Sequence, residues 1–131
     1  MASILKVDAL QGITAAGDIT VTSEGGAATM QLQQGLAKAW TSINQSTPAI
    51  IQSLNTTSIT DSGVGIIDPN FTNNMNAVGW CSIASLRNTG NYVHATILTD
   101  TTSKCRAQSL INANTGEDSV DIGVANYGDL A

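Results

Sequence analysis

His94 is the sole histidine of the 131-residue chain, so imidazole chemistry has a single candidate. It lies in the run NYVHATILT, where strand alternation places it on one face with Tyr92 and Thr96. Zinc sites combine several His, Cys or carboxylate ligands, and the sequence offers neither a second histidine nor a CxxC pair. A lone histidine in a strand is most often structural or solvated, so we expect neither catalysis nor metal binding from it.

The two cysteines, Cys81 and Cys105, both lie in strand-like runs. One interpretation is a pair of buried thiols that act as small hydrophobic side chains. The other is a disulfide, which sequence alone does not establish. The N-terminus MASILKVDALQG lacks a basic stretch followed by a long apolar run, so no export signal is predicted. The absence of an export signal favours the thiols.

Carboxylates and nucleophiles form no recognisable catalytic motif. The aspartates occur mainly at turn signals, where such side chains usually bond to local backbone; they are Asp61, Asp68, Asp100, Asp118, Asp121 and Asp129. A calcium site built on Asp118 and Asp121 would not have the spacing of a calcium loop. The sequence contains no GxGxxG, GxxxxGK[ST] or GxSxG, and a Ser–His–Asp arrangement would have no local signature. We therefore expect no enzyme, no cofactor and no metal.

Composition limits the partners of the chain. Its net charge is −5, and the five basic residues are scattered, which argues against nucleic-acid binding; they are Lys6, Lys38, Arg87, Lys104 and Arg106. No apolar run approaches the roughly 20 residues that span a bilayer, so membrane insertion is not expected. Only 11% of residues are charged and 4% are aromatic. The many Ser, Thr, Asn and Gly residues suit strands, turns and fibrous β assemblies.

Residues 45–131 read as an antiparallel β head of the sandwich or jelly-roll type, because short strands alternate with turn signals about every ten residues. TTSITDSGVGII predicts a tight hairpin, Asp68-Pro69-Asn70 predicts a turn, and Val120, Ile122 and Val124 are expected to point inward. The candidate strands from residue 39 onward are AWTSIN, AIIQSLN, TTSIT, VGIID, AVGWCSIASL, NYVHATILT, SKCRAQSLI and SVDIGVANY.

Residues 1–28 hold two short extended runs, ILKVDAL and GDITVT. Two short strands are marginal in water by themselves, so this part must lie against something else. The following stretch, TMQLQQGLAKAW, has helical spacing and predicts a short helix and connector over 29–44, with Thr29 as its cap.

The apolar residues of the predicted helix follow a four-three-four spacing, which is typical of a helix that packs on other helices; they are Leu32, Leu36, Ala39 and Ile43. The chain shows no second helical pattern. Two partners therefore stay open for this helix: further copies of itself, or the sheet of its own subunit.

SEGGAATMQLQQGLAKAW resembles a segment of structural proteins from marine tailed bacteriophages, including cyanophages, which are described as tail-fibre or virion structural proteins. Residues 66–115 depart from the family pattern. The matching pieces follow the order of that pattern: Leu5–Asp8, Ile19–Thr22, Glu24–Gly26, Leu32–Trp40, Ser53, Asn55, Thr57–Asp61, Gly63, Gly65 and the closing GDLA at Gly128–Ala131.

The resemblance implies a homotrimeric virion part, made in the host cytoplasm and not secreted. Residues 1–28 would attach to other virion proteins, and Leu32, Leu36, Ala39 and Ile43 would face the threefold axis. The head would face outward, as a candidate for binding a host-surface glycan or protein. Its polar turns are the candidate receptor-facing tips; their residues are Arg87, Asn88, Asn91, Asn112 and Asn114.

Two other functions compete with a fibre, spike or knob. One is a capsid decoration protein without a receptor role, which would bind assembled capsids and not cells. The other, from a different class, is a stand-alone carbohydrate-binding β module. Such a module needs an exposed aromatic platform, and the available rings are Trp40, Phe71, Trp80, Tyr92 and Tyr127.

Overall fold

The computed structural model of the chain describes residues 4–14, 19–22, 25–26, 28–87, 94–111 and 115–131. The chain separates into two compact units, Met1–Leu36 and Ala37–Ala131, which we name the N-terminal unit and the β unit. The boundary between them falls inside the segment 29–44 that the sequence assigns to a helix and connector.

The N-terminal unit contains one small antiparallel sheet. Strands β1 (Thr20–Thr22) and β2 (Thr29–Gln31) pair with each other, and a short 3₁₀ turn follows at Gln33–Gly35. The strand predicted within GDITVT is confirmed by β1. The extended run predicted at residues 4–10 forms no strand.

The helix predicted over 29–44 is wrong. That segment contains β2, the 3₁₀ turn and then strand β3 (Ala39–Asn44). Leu36, directly after the turn, has extended backbone angles (φ −104°, ψ 141°), so the helical turn stops there. The residues that follow suit a strand, because Trp, Thr and Ile fit a pleated surface and their backbone pairs on both sides with other strands.

Two of the four residues predicted to face a threefold axis therefore do not lie on the surface. Ala39 and Ile43 are 0% exposed and lie in the core of their own chain, so neither reaches a subunit interface. Their spacing of four also fits a strand, since it is a multiple of the two-residue period. Leu32 is partly buried and Leu36 is exposed, both in the N-terminal unit; their role in an oligomer stays a prediction.

The β unit consists of two four-stranded antiparallel sheets. Sheet I has the strand order β4-β3-β10-β7, and sheet II has the order β5-β6-β9-β8. Each of the eight strand runs predicted from residue 39 onward overlaps a strand, and the part of the chain that the structure describes contains no α-helix. The further strands are β4 (Ala49–Leu54), β5 (Thr56–Gly63), β6 (Ile66–Phe71), β7 (Cys81–Leu86), β8 (His94–Thr101), β9 (Lys104–Leu110) and β10 (Ile122–Tyr127).

Both sheets contribute to one apolar core, which is how a two-sheet β architecture is stabilised. Inward residues recur at every second position, most clearly in β10, where Ile122 and Val124 are buried as predicted. Val120, predicted to point inward as well, precedes the strand and is exposed. The buried apolar cluster comprises Ala39, Ile43, Ile67, Phe71, Met75, Cys105, Ala107, Ile122 and Val124.

The predicted hairpin over TTSITDSGVGII is confirmed, since β5 and β6 pair antiparallel around residues 64 and 65. Gly65 has a φ of +73°. A Cβ atom at this position would lie 2.6 Å from the backbone nitrogen of Glu117 and 2.6 Å from the carbonyl oxygen of Ser109. Both the left-handed backbone and the close approach of two neighbouring segments require glycine here.

Candidate interaction surfaces

The residues with metal-binding chemistry do not converge in the described part of the chain. Among those residues, no three or more His, Cys, Asp or Glu side chains are grouped so that they could hold a metal ion. His94 begins β8, and its side chain lies outside the described part. The cysteines form no disulfide bond. Cys105 is buried as predicted, whereas Cys81 is exposed, so the expectation of two buried thiols is wrong for Cys81.

Asp118 and Asp121, the two aspartates considered for a calcium site, both accept structural hydrogen bonds. Asp118 Oδ1 accepts the backbone N–H of Gly65 at 2.6 Å, which holds the β5–β6 turn. Asp121 Oδ1 accepts the hydroxyl of Ser42 at 2.6 Å, which ties the start of β10 to β3.

The predicted receptor-facing turns are described only at Arg87. Its side chain is 84% exposed, and Nη1 lies 3.9 Å from Asp121 Oδ2. This exposure fits a contact residue, but a loose surface ion pair of this kind adds little stability. The other four residues of these turns lie outside the described residues: Asn88, Asn91, Asn112 and Asn114.

The N-terminal unit has an exposed apolar surface and no core among its described residues. None of those residues is buried. Soluble domains normally bury such side chains, and a surface on which they accumulate usually marks an interaction site. The exposed large apolar residues of this unit are Ile4, Leu5, Val7, Leu10, Ile13, Val21, Met30 and Leu36.

The outer face of sheet I is uncharged. Each of its four strands has six residues, and none of these residues is Asp, Glu, Lys or Arg. The pairing registers align Leu54 with Trp40, Trp40 with Ala125, and Ala125 with Ile83. An apolar row thus crosses all four strands, with Leu54 49%, Trp40 37% and Ile83 56% exposed. We name this surface, with Cys81 and Tyr127 beside the row, the uncharged face.

A more polar row borders the apolar row on the side away from Cys81 and Tyr127. The next outward-facing row consists of Gln52, Ser42, Gly123 and Ser85. Beyond that row lies the Arg87–Asp121 pair, which contributes one positive and one negative charge. An apolar centre with a polar edge is the usual anatomy of a protein–protein interface.

The outer face of sheet II is polar and contains a buried carboxylate. Asp68 was expected in a turn, but it lies inside β6 and its side chain is 0% exposed. Asp68 Oδ1 accepts Arg106 Nε at 2.7 Å. Asp68 Oδ2 accepts Arg106 Nη2 at 2.7 Å, Lys104 Nζ at 2.7 Å and the Ser62 hydroxyl at 3.2 Å. The predicted turn at Asp68-Pro69-Asn70 is wrong, because this stretch pairs with β5 and β9.

The two cations decide the ionisation of this carboxyl. Burial raises the pKa of Asp68, but hydrogen bonds from Arg106 and Lys104, together with their positive charges, outweigh burial and leave the pKa below its ordinary value of 3.8. The same contact raises the pKa of Arg106. Asp68 therefore stays charged at neutral pH, with both oxygens satisfied, and acts as a structural anchor between β6 and β9.

A shallow pocket of about 190 Å³ lies beside Trp80 in the β unit. The Trp80 ring packs edge-on against Phe71, with 5.8 Å between ring centroids, and its Nε1–H donates to Asn126 Oδ1 at 3.3 Å. Trp80 is thus part of the wall of the core and no free platform for a sugar ring. The pocket is lined by Asn76, Ala77, Val78, Gly79, Trp80, Gly128 and Asp129.

Comparison with known proteins finds no match for this chain among protein-family models, curated proteins or solved structures. The described residues also contain no helix with the length and apolar character needed to cross a membrane. The resemblance to phage structural proteins therefore stays a prediction, and the surfaces described above carry the functional argument.

Sequence reasoning missed two of these surfaces, although each left a signal. Lys104 and Arg106 are two residues apart in a predicted strand, so they had to share a face. The four strands of sheet I contain no charge in sequence, but nothing local shows that they join one sheet.

Proposed function

We propose that the chain is a non-enzymatic structural protein of a bacteriophage virion, a fibre, spike or knob, that attaches through its N-terminal unit and displays the β unit. In this proposal it is made in the host cytoplasm, assembles as a homotrimer and resides in the virion. The observation that carries the proposal is the exposed apolar surface of the N-terminal unit, in which no described residue is buried.

An apolar segment without a core gains stability only from a partner. Burying one large aliphatic side chain contributes about 1.5–3 kcal/mol, and this unit exposes several of them, including Leu5, Leu10 and Ile13. A surrounding protein shell is a partner of the required chemistry, since it can cover residues 4–14 and extend the small β1–β2 sheet. The N-terminal unit thus acts as the anchor.

The β unit supplies the displayed head, a sandwich-type body formed by sheets I and II. Its polar outer face on sheet II would contact a host-surface glycan or protein. A stand-alone carbohydrate module is less well supported, because Phe71 is buried and Trp80 packs on it. Trp40 is exposed, but the strands around it carry no charged partner for a sugar.

A capsid decoration protein is the second candidate, and the same observation supports it. The exposed apolar residues of the N-terminal unit suit capsid binding as well as they suit a tail or fibre base. The two candidates differ in whether the head contacts cells: the decoration protein binds assembled capsids alone.

Immunogold electron microscopy of particles from the phage that encodes the chain tests the proposal. Antibodies against the full chain are expected to label virions, at a tail or fibre position for a fibre and over the capsid for a decoration protein. Virions without label, and without the chain in their mass spectra, would refute a structural role.

Attachment itself is tested by complementation with variants of the full chain. The double substitution Leu5→Asp and Leu10→Asp is expected to abolish incorporation into particles, because it places charges on the anchor surface. Val64→Asp is the matched control, since Val64 is 67% exposed at the β5–β6 hairpin. Equal loss with both variants would contradict anchoring by the N-terminal unit.

A further inference from the structure

We infer that the uncharged face of sheet I is the surface through which copies of this chain associate. The inference deepens the proposed function and rests on it only in assuming an assembly of identical chains. It places the contact in the β unit, away from Ala39 and Ile43, which the core of that unit encloses.

Charge selects this face. Every copy has a net charge of −5, so most contacts between two copies bring like charges together. The strands of sheet II carry Asp61, Asp68, Asp100, Lys104 and Arg106, whereas the strands of sheet I carry no charge. Association through sheet I therefore avoids the repulsion that would accompany most other orientations.

The composition of the face supplies the attraction. Leu54, Trp40 and Ile83 form an exposed apolar row with Ala125, and tryptophan is among the residues enriched at protein interfaces. Four neighbouring strands present this row on one sheet surface, so it can be covered as a unit.

The polar edge identifies a second copy as the fitting partner. Arg87 and Asp121 give the edge one charge of each sign, so the edge is electrostatically complementary to itself. The apolar row is likewise matched by another uncharged apolar row. Because the apolar row carries no charge and the edge carries one of each sign, copies arranged around a symmetry axis can meet at this face without like-charge repulsion. A strongly acidic or basic partner would find no counter-charge in the strands of the face.

The first test measures the mass of the full chain in solution by light scattering, over a range of protein concentrations. The wild type is expected to show a multiple of 13.5 kDa, and Ile83→Lys is expected to show the mass of one chain. Leu98→Lys is the matched control, because Leu98 is a 43% exposed apolar strand residue of sheet II; its mass is expected to equal that of the wild type.

Cys81 provides a second readout that does not depend on a substitution at the apolar row. It is exposed and lies opposite Tyr127 on the uncharged face, whereas Cys105 is buried. In the assembled wild type, alkylation of Cys81 is expected to be slower by about tenfold than in Ile83→Lys, since only dissociated chains expose the thiol. Cooperative urea unfolding of the variant confirms that it is folded.

Three results would overturn the inference: a monomeric wild type, equal dissociation of Leu98→Lys and Ile83→Lys, or an oligomer in which Cys81 reacts as fast as in the monomer. The last result would leave a homo-oligomer that uses another surface. Failure of the proposed function is detected separately, because virion labelling and incorporation do not depend on the face of sheet I.

Discussion

The buried carboxylate of Asp68 makes a sharp prediction about stability. Asp68→Asn keeps the shape of the side chain but removes its charge and turns one acceptor into an NH₂ donor. That donor would face Arg106 or Lys104, which are donors themselves and contact the two oxygens at 2.7 Å. The variant therefore loses the charge-assisted hydrogen bonds and gains a donor–donor contact.

The magnitude follows from the exposure of the partners. Breaking a buried ion pair costs about 3–5 kcal/mol because a buried charge is left uncompensated. Here the side chains of Lys104 and Arg106 are each 35% exposed, so water can hydrate them when asparagine replaces Asp68. We therefore expect Asp68→Asn to lower the free energy of unfolding by about 2–3 kcal/mol.

Urea denaturation followed by tryptophan fluorescence measures this loss at neutral pH. Asp61→Asn is the control, because it makes the same chemical change at an exposed residue of the neighbouring strand β5. Its expected effect is within about 0.5 kcal/mol. Equal losses for Asp68→Asn and Asp61→Asn would refute the claim that the buried ion pair links β6 to β9.

The pH dependence gives the same prediction a second test. Because the pKa of Asp68 is lowered on folding, its contribution to stability is complete above the ordinary pKa of 3.8. It is lost as the pH falls from 3.8 through the lower pKa of the folded chain. The stability difference between the wild type and Asp68→Asn should thus be constant near neutrality and shrink in this acid range. A difference that grows on acidification would contradict the assigned direction.

Three further predictions concern packing. Ile43→Ala should cost about 2–5 kcal/mol by leaving a cavity, while Ile51→Ala, at a 53% exposed position, should cost far less; equal urea midpoint shifts would contradict the core assignment. Gly65→Ala should destabilise the chain by about 1–3 kcal/mol or more through positive φ and the 2.6 Å backbone contacts, and an unchanged melting temperature would refute this. Cys105 should react with a thiol reagent only after unfolding, because it is 0% exposed; labelling of Cys105 in the native Cys81→Ser variant would disprove its burial.

The two outer faces of the β unit suggest a division of roles within the proposed virion protein. The face of sheet I has the chemistry of a contact between identical chains. The face of sheet II combines hydroxyl and amide groups with the Lys104–Asp68–Arg106 cluster and stays hydrated. Asn70 Nδ2 there donates to the hydroxyls of Ser58 and Thr60 at 3.2 and 3.1 Å. We expect assembly to cover sheet I and leave sheet II for contacts outside the particle.

Most strands of the β unit follow from local features of the amino-acid sequence. Alternating apolar residues, β-branched side chains and frequent Gly, Asn and Pro breaks are local properties, and they indicated all eight strands from Ala39 to Tyr127, although residues 39–44 were also assigned to the helix. The β5–β6 hairpin was predictable for the same reason, because the turn between Gly63 and Ile66 is short.

Local sequence was not sufficient where the helical period of 3.6 residues and the strand period of two residues fit the same side chains. Ala39 and Ile43 are four residues apart, a spacing that fits one face of a helix and one face of a strand equally well. The decision came from backbone pairing of β3 with β4 and β10. β10 is distant in sequence, and a local pattern contains no information about it.

Local sequence patterns likewise do not show which side chains meet on the outer faces of the two sheets. Lys104 and Arg106 follow Asp68 by 36 and 38 residues along the chain. Only the pairing of β6 with β9 brings their charges next to that of Asp68. Asp68 followed by Pro69 and Asn70 resembles a turn locally, but burial between two strands gives the carboxylate its partners. The sequence thus determined the strands, whereas long-range pairing decided which charges meet and which face remains uncharged.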